Sequence, residues 1–187
     1  MKKVFIYSMM IALTAASCKG EETEYSEQQE DYVVELDHDE LLAEIDALET
    51  EINAAETPDE EKLKEAVTKF QDFANTFPDD ERAPEFLLKA SDFSNALKLP
   101  EKSVKILDRI IKDYPEYEKM EDIYYVRAVY LDFDLRDTTR AKEAYQTYID
   151  KYPNSGQRVL DAQTRIDNIA YSIEELAEKF IQELEAQ

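Results

Sequence analysis

Three segments of this chain read alike: Phe73-Ala-Asn-Thr-Phe-Pro78, Ile110-Ile-Lys-Asp-Tyr-Pro115 and Tyr148-Ile-Asp-Lys-Tyr-Pro153. Their prolines lie 37 and 38 residues apart. Upstream of each proline the spacing is the same. Ala66, Phe70, Phe73 and Pro78 correspond to Ser103, Leu107, Ile110 and Pro115, and both sets to Ala141, Tyr145, Tyr148 and Pro153. A small residue followed by bulky ones four and seven positions later puts all three on one face of a helix. The small residue lets a neighbouring helix approach closely, the bulky ones fill the space between helices, and the proline stops the helix soon after. A period of this length is the mark of stacked supersecondary units.

The rest of the chain beyond residue 40 also has helical periodicity. Leu41, Leu42, Ile45, Leu48 and Ile52 form one apolar stripe, and Leu63, Ala66, Val67, Phe70, Phe73 and Ala74 another. Thr57-Pro58-Asp59-Glu60 reads as a helix start, with Thr57 as cap, Pro58 in the first turn and Glu60 completing a capping box. Pro100 suits the first turn of a later helix, Asp137-Thr138-Thr139 offers caps for the next, and Ser172 with Glu175 opens a last one. No segment alternates with a period of two. The expected helices are 40–55, 60–77, 82–97, 101–113, 118–135, 139–151, 156–170 and 173–185. Outward acids at Glu174, Glu175, Glu178, Glu183 and Glu185 suit the last helix to cap the array.

The spacing resembles the second helix of a tetratricopeptide repeat, a family whose period is about 34 residues. The large-small-large pattern of that family's first helix is matched by Phe86, Ala90 and Phe93, and by Tyr124, Ala128 and Leu131. The segment from Val159 to Ile169 lacks it. The resemblance covers roughly residues 40–170. It implies an all-α fold, a right-handed α-solenoid of about 3.5 helix-turn-helix repeats with a C-terminal capping helix. In that family the first helices line a concave groove that binds peptides or proteins. The corresponding positions here are Leu87 in the second repeat and Tyr125, Val129 and Phe133 in the third. Family members that hold a C-terminal carboxylate use Lys, Arg and Asn at such positions, and those residues are missing from them here.

The N-terminus reads as an address. Lys2 and Lys3 precede a mostly apolar run from Val4 to Ala16, the pattern of a secretory signal peptide. Leu13-Thr14-Ala15-Ala16-Ser17-Cys18 resembles a bacterial lipobox, with Ala15 where Leu is usual. The resemblance implies cleavage after residue 17 and lipidation of Cys18, the only cysteine in the chain. More than one acyl chain gives stable anchoring. Lys19, in place of an Asp that would retain the protein in the inner membrane, implies the outer membrane. Lys19-Gly20-Glu21-Glu22-Thr23-Glu24 resembles the acidic export tag of surface lipoproteins. From Gly20 to Glu61 there are 18 acids and no Lys or Arg, so residues 18–39 are expected to be a solvated, self-repelling tether. The expected organisation is a signal peptide over 1–17, a lipid-anchored acidic tether over 18–39 and a repeat domain over 40–187.

Little in the composition supports chemistry. The chain has 44 acids against 22 basic residues, a net charge of -22, which argues against nucleic acid as a partner. Two glycines exclude glycine-loop nucleotide sites, and one cysteine excludes internal disulfides and zinc ribbons. His38, in Leu36-Asp-His-Asp-Glu40, reads as a solvated side chain of the tether, and no metal, cofactor or catalytic group is expected. The expected function is that of a lipid-anchored, non-enzymatic adaptor of the cell envelope, holding a protein or peptide in its groove. The alternatives are an outer-membrane protein assembly factor and a self-associating structural protein of the envelope.

Overall fold

A computed structural model describes residues 37–57, 59–171 and 173–185. The signal peptide, Cys18, most of the tether, Pro58 and Ser172 lie outside the described residues. Eight helices and no strand are present among the described residues: α1 (His38–Ala54), α2 (Glu60–Thr76), α3 (Ala83–Ala96), α4 (Pro100–Asp113), α5 (Met120–Val129), α6 (Thr138–Lys151), α7 (Gln157–Asn168) and α8 (Ile173–Glu185). A π-helical turn over Tyr130–Asp134 continues α5. The architecture is the expected all-α array of tetratricopeptide-like hairpins.

The three proline turns are the same structure made three times. Phe77, Tyr114 and Tyr152 end α2, α4 and α6 with nearly identical backbone angles, φ -123, -130 and -127° and ψ 59, 54 and 54°. Each donates its N–H to the carbonyl four residues back, at 2.8, 2.9 and 2.9 Å. Each carbonyl then accepts from the N–H three residues on, of Asp80, Tyr117 and Ser155, at 3.1, 3.0 and 3.1 Å. A following proline disfavours the α region for the residue before it, and all three aromatic residues leave the helical conformation there.

The small and bulky members of the repeat pattern face inward, whereas Pro78, Pro115 and Pro153 are exposed. Ala66, Ser103 and Ala141 are buried, as are Phe70, Leu107 and Tyr145, and Phe73, Ile110 and Tyr148. The small residue at this position does bring backbones together. The Ser103 hydroxyl donates to the Ser91 carbonyl oxygen of α3 at 2.8 Å, and the two hydroxyls are 2.7 Å apart. Consecutive helices from α1 to α7 pack on one another. The core runs on through two adjoining clusters, one from Leu41 to Ile123 and one from Val104 to Ile166.

Helix starts follow side-chain chemistry. The Asp37 carboxylate accepts the N–H groups of Asp39 and Glu40, both at 3.0 Å, so α1 opens two residues before the expected position. The α2 cap is Asp59 rather than Thr57. Its carboxylate accepts the Glu61 N–H at 2.8 Å, and an ionised acceptor there also suits the positive end of the helix. Pro100 takes the first turn of α4 and Asp137 caps α6, as the sequence implies. At the other end of the array, Glu175, Glu178, Glu183 and Glu185 of α8 face solvent, and so do Phe180, Ile181 and Leu184. Lys179 ties α8 back with a 2.7 Å bond to the Asn168 side chain.

His38 is not a tether residue. It is the first residue of α1, stacked edge-on against Phe77 at 4.8 Å and tilted over Phe73 at 5.6 Å. Nε2 lies 2.9 Å from Asp80 and Nδ1 2.9 Å from Asp39, and in the imidazolium form both ring N–H groups donate to these carboxylates. The bond to Asp80 raises its pKa above the ordinary 6.5, with Asp39 adding to the shift and Arg82, on the same Asp80 carboxylate, opposing it. The folded-state value therefore exceeds the unfolded one. The stabilisation is complete below pH 6.5 and is lost as pH rises through the raised value. An NMR titration of the His38 ring is expected to show a midpoint above 6.5. The stability difference between wild type and His38→Gln is expected to shrink on the alkaline side.

Candidate partner-binding surface

The first helices of the repeats are α3, α5 and α7. Their exposed faces decide what the array can hold. On α5 and its π-helical continuation, Tyr125, Val129 and Phe133 follow one another at four-residue spacing. All three are half-buried, and they come together on one side of the element. Leu87, their counterpart in α3, does not join them. It is 0% exposed within the core formed by α1 to α5, so no partner can reach it. The residue after Phe86 faces inward in the second repeat, whereas the residue after Tyr124 is half-buried in the third.

Aromatic packing fixes Tyr125. Its ring stands edge-on to Tyr148 at 5.1 Å and to Tyr145 at 6.3 Å. Burial raises its phenol pKa, so the hydroxyl stays protonated near neutrality. The Arg158 guanidinium of α7 lies 5.4 Å from the ring and is paired with Asp122 at 2.5 Å. One turn of the surface further on, the Arg165 guanidinium sits 4.8 Å from the Phe133 ring. Two arginines seven residues apart on α7 thus roof the first and last members of the aromatic row.

Arg165 belongs to the most enclosed ion pair among the described residues. Its Nε and one terminal nitrogen donate to the two oxygens of Asp132, at 2.7 and 2.8 Å. Tyr145 donates its hydroxyl to the same carboxylate at 3.2 Å. The Asp132 side chain is 3% exposed and that of Arg165 12%. The π-helical turn places Asp132 inward beside Leu131. The extra residue per turn rotates its carboxylate under α7. The aromatic row and its arginine roof therefore rest on a rigid support. Neither Asp132, Arg158 nor Arg165 is singled out by the repeat pattern. The available signal was an acid between the apolar residues Leu131 and Phe133, and two arginines at heptad spacing on one helix face.

No group of His, Cys, Asp and Glu among the described residues is arranged to hold a metal ion. No described helix is long and apolar enough to cross a membrane. The surface offers rigid aromatic faces and guanidiniums already paired with carboxylates. Such a surface suits recognition of another chain.

Comparison with known proteins gives a consistent picture. A family model for the tetratricopeptide repeat matches residues 124–155. That span runs from Tyr124 in α5 through α6 to the third proline turn, most of one hairpin. No curated protein matches the chain. The array is tetratricopeptide-like, and tetratricopeptide repeats are typically non-enzymatic modules for protein–protein interaction.

Proposed function

We propose that this chain is a lipid-anchored, non-enzymatic adaptor of the cell envelope that holds a protein or peptide partner against α5. The observation that carries the reading is the row of Tyr125, Val129 and Phe133 in the hairpin matched by the repeat family. Rigid aromatics with two side-chain torsions lose little entropy on binding and make effective anchors. Leu87 has no part in it. Cys18, through the lipobox resemblance, attaches the array to the outer membrane, and the acidic segment after it holds the array off an anionic surface.

Two measurements separate the halves of the proposal. Cells expressing the full chain are expected to incorporate labelled palmitate, and the Cys18→Ala variant is not. A photoreactive residue at position 129 is expected to give one dominant crosslinked adduct in cells. That adduct is lost when Tyr125→Ala and Phe133→Ala are combined. Adduct formation unchanged in that variant, with helix content intact, would refute binding at α5.

Self-association is the second reading. The exposed Phe180, Ile181 and Leu184 of α8 favour it, because contiguous apolar side chains in water promote association. Sedimentation of the full chain in detergent across a hundredfold concentration range discriminates. A monomer throughout removes this reading and leaves the adaptor reading untouched.

A further inference from the structure

The turn between α4 and α5 differs from its two equivalents in one respect. The residue whose N–H returns to the aromatic carbonyl is Asp80 in the first turn, Ser155 in the third and Tyr117 in the second. Only the second turn places a second aromatic ring there. With it comes a cavity of about 420 Å³ where this turn meets the start of α3. Tyr114, Pro115 and Tyr117 form its carbon walls on one side and Pro84 on the other. None of Tyr125, Val129 and Phe133 lines it, so the site stands independently of the α5 surface.

The walls are held in place. Pro84 is buried in the first turn of α3. Tyr114 is fixed by its N–H bond to Ile110, and Tyr117 by its N–H bond to Tyr114. The Tyr117 hydroxyl donates to Glu85, whose carboxylate also accepts from Lys119 at 2.6 Å. A ring anchored through both its backbone and its hydroxyl presents its face without a further entropy cost on binding.

The electrostatics of the rim have one sign. Glu81, Glu116 and Glu118 line the cavity, are exposed and make no ion pair among the described residues. The fourth acid, Asp113, pairs with Arg109 at 3.4 Å and with Lys112 at 3.8 Å. The other basic side chains nearby are engaged as well: Lys119 with Glu85, Arg82 with Asp80, and Arg109 also with Asn75. The cavity thus joins aromatic and proline walls to three unneutralised carboxylates. A neutral or anionic occupant would leave those charges uncompensated.

We propose that this cavity is a docking site for an arginine side chain of a partner polypeptide. A guanidinium is planar and weakly hydrated, stacks on tyrosine faces and forks onto carboxylates at the edge. A lysine ammonium has the charge without the plane, and its stronger hydration resists the carbon walls. The volume falls within the range of about 300–1,000 Å³ that holds small ligands, enough for one arginine with its flanking backbone.

The test uses the full chain in detergent and three blocked pentapeptides, Gly-Ser-Arg-Ser-Gly and the same peptide with citrulline or with lysine for arginine. Citrulline keeps the shape and removes the charge. Titration with the arginine peptide is expected to move the ring resonances of Tyr114 and Tyr117 saturably. The citrulline peptide is expected to bind at least tenfold more weakly. Glu116→Gln combined with Glu118→Gln, both exposed positions, is expected to weaken the arginine peptide by a similar factor with helix content unchanged. Tyr117→Ser, the residue of the third turn, is expected to abolish the effect on Tyr114. Equal binding of the arginine and citrulline peptides, equal binding of the lysine peptide, no saturable shift, or indifference to the glutamine substitutions would each overturn the assignment.

Discussion

Replacing Arg165 with alanine is expected to lower the stability of the array by about 3–5 kcal/mol, read from urea unfolding of the full chain in detergent. The loss does not come from the attraction of the pair as such. Asp132 is 3% exposed, and without Arg165 its carboxylate keeps only the Tyr145 hydroxyl. A buried charge without its counter-ion is among the costliest single defects a fold can carry. Phe133 loses its cationic roof in the same step. The third guanidinium nitrogen of Arg165, Nη1, is buried without a hydrogen-bond partner in the native array, so the pair already bears a desolvation cost. For that reason Asp132→Leu combined with Arg165→Met is expected to recover most of the loss. If the single variant unfolds at the wild-type urea midpoint, the ion pair does not hold α7 to the π-helical turn.

Phe73→Ala is expected to cost a further order of similar size, about 3–5 kcal/mol by the same assay. Phe73 is fully buried where α1, α2 and α3 meet. Its ring stands edge-on to Phe86 at 4.8 Å, tilts against Phe77 at 5.3 Å and lies under the Arg82 guanidinium at 5.6 Å. These neighbours belong to different elements, so they cannot close together over the vacated volume without moving a helix. The cost sits at the upper end of such substitutions when collapse is prevented in this way. Phe73→Leu fills much of the space and is expected to cost less than half as much. Equal losses for leucine and alanine would mean that aromatic geometry, not volume, sets the stability of this corner.

The parts of this structure that were legible in the sequence are those fixed by local rules. Ala66, Phe70 and Phe73 announce a buried helical face because their spacing matches the turn of a helix, and Pro78 announces its end because proline restricts the residue before it. The same logic found α4 and α6. Leu87 was misjudged because its burial depends on packing within a core drawn from α1 to α5, which no local spacing reveals. A first-helix position that is half open in α5 is sealed in α3. His38 was misread for a related reason. An isolated histidine among acids looks solvated, and its partner Asp80 lies 42 residues away. Only the folded hairpin brings the two together. Arg158 and Arg165 were passed over because a seven-residue spacing of two arginines on a helix does not say what lies beneath them. Their importance comes from what α5 places beneath them. The Tyr114–Tyr117 cavity was hidden in a motif read only as a stop signal.

The sameness of the three proline turns has a consequence for how such a chain can change its length. A cut after Pro78 and another after Pro115 fall at equivalent points of the backbone, and each hairpin packs on the hairpins beside it in sequence. Duplicating or excising the stretch between those cuts would present each new junction with the geometry it already accepts. Growth in whole hairpins is thereby open to this architecture, whereas an insertion of a few residues inside one would misalign every contact across it.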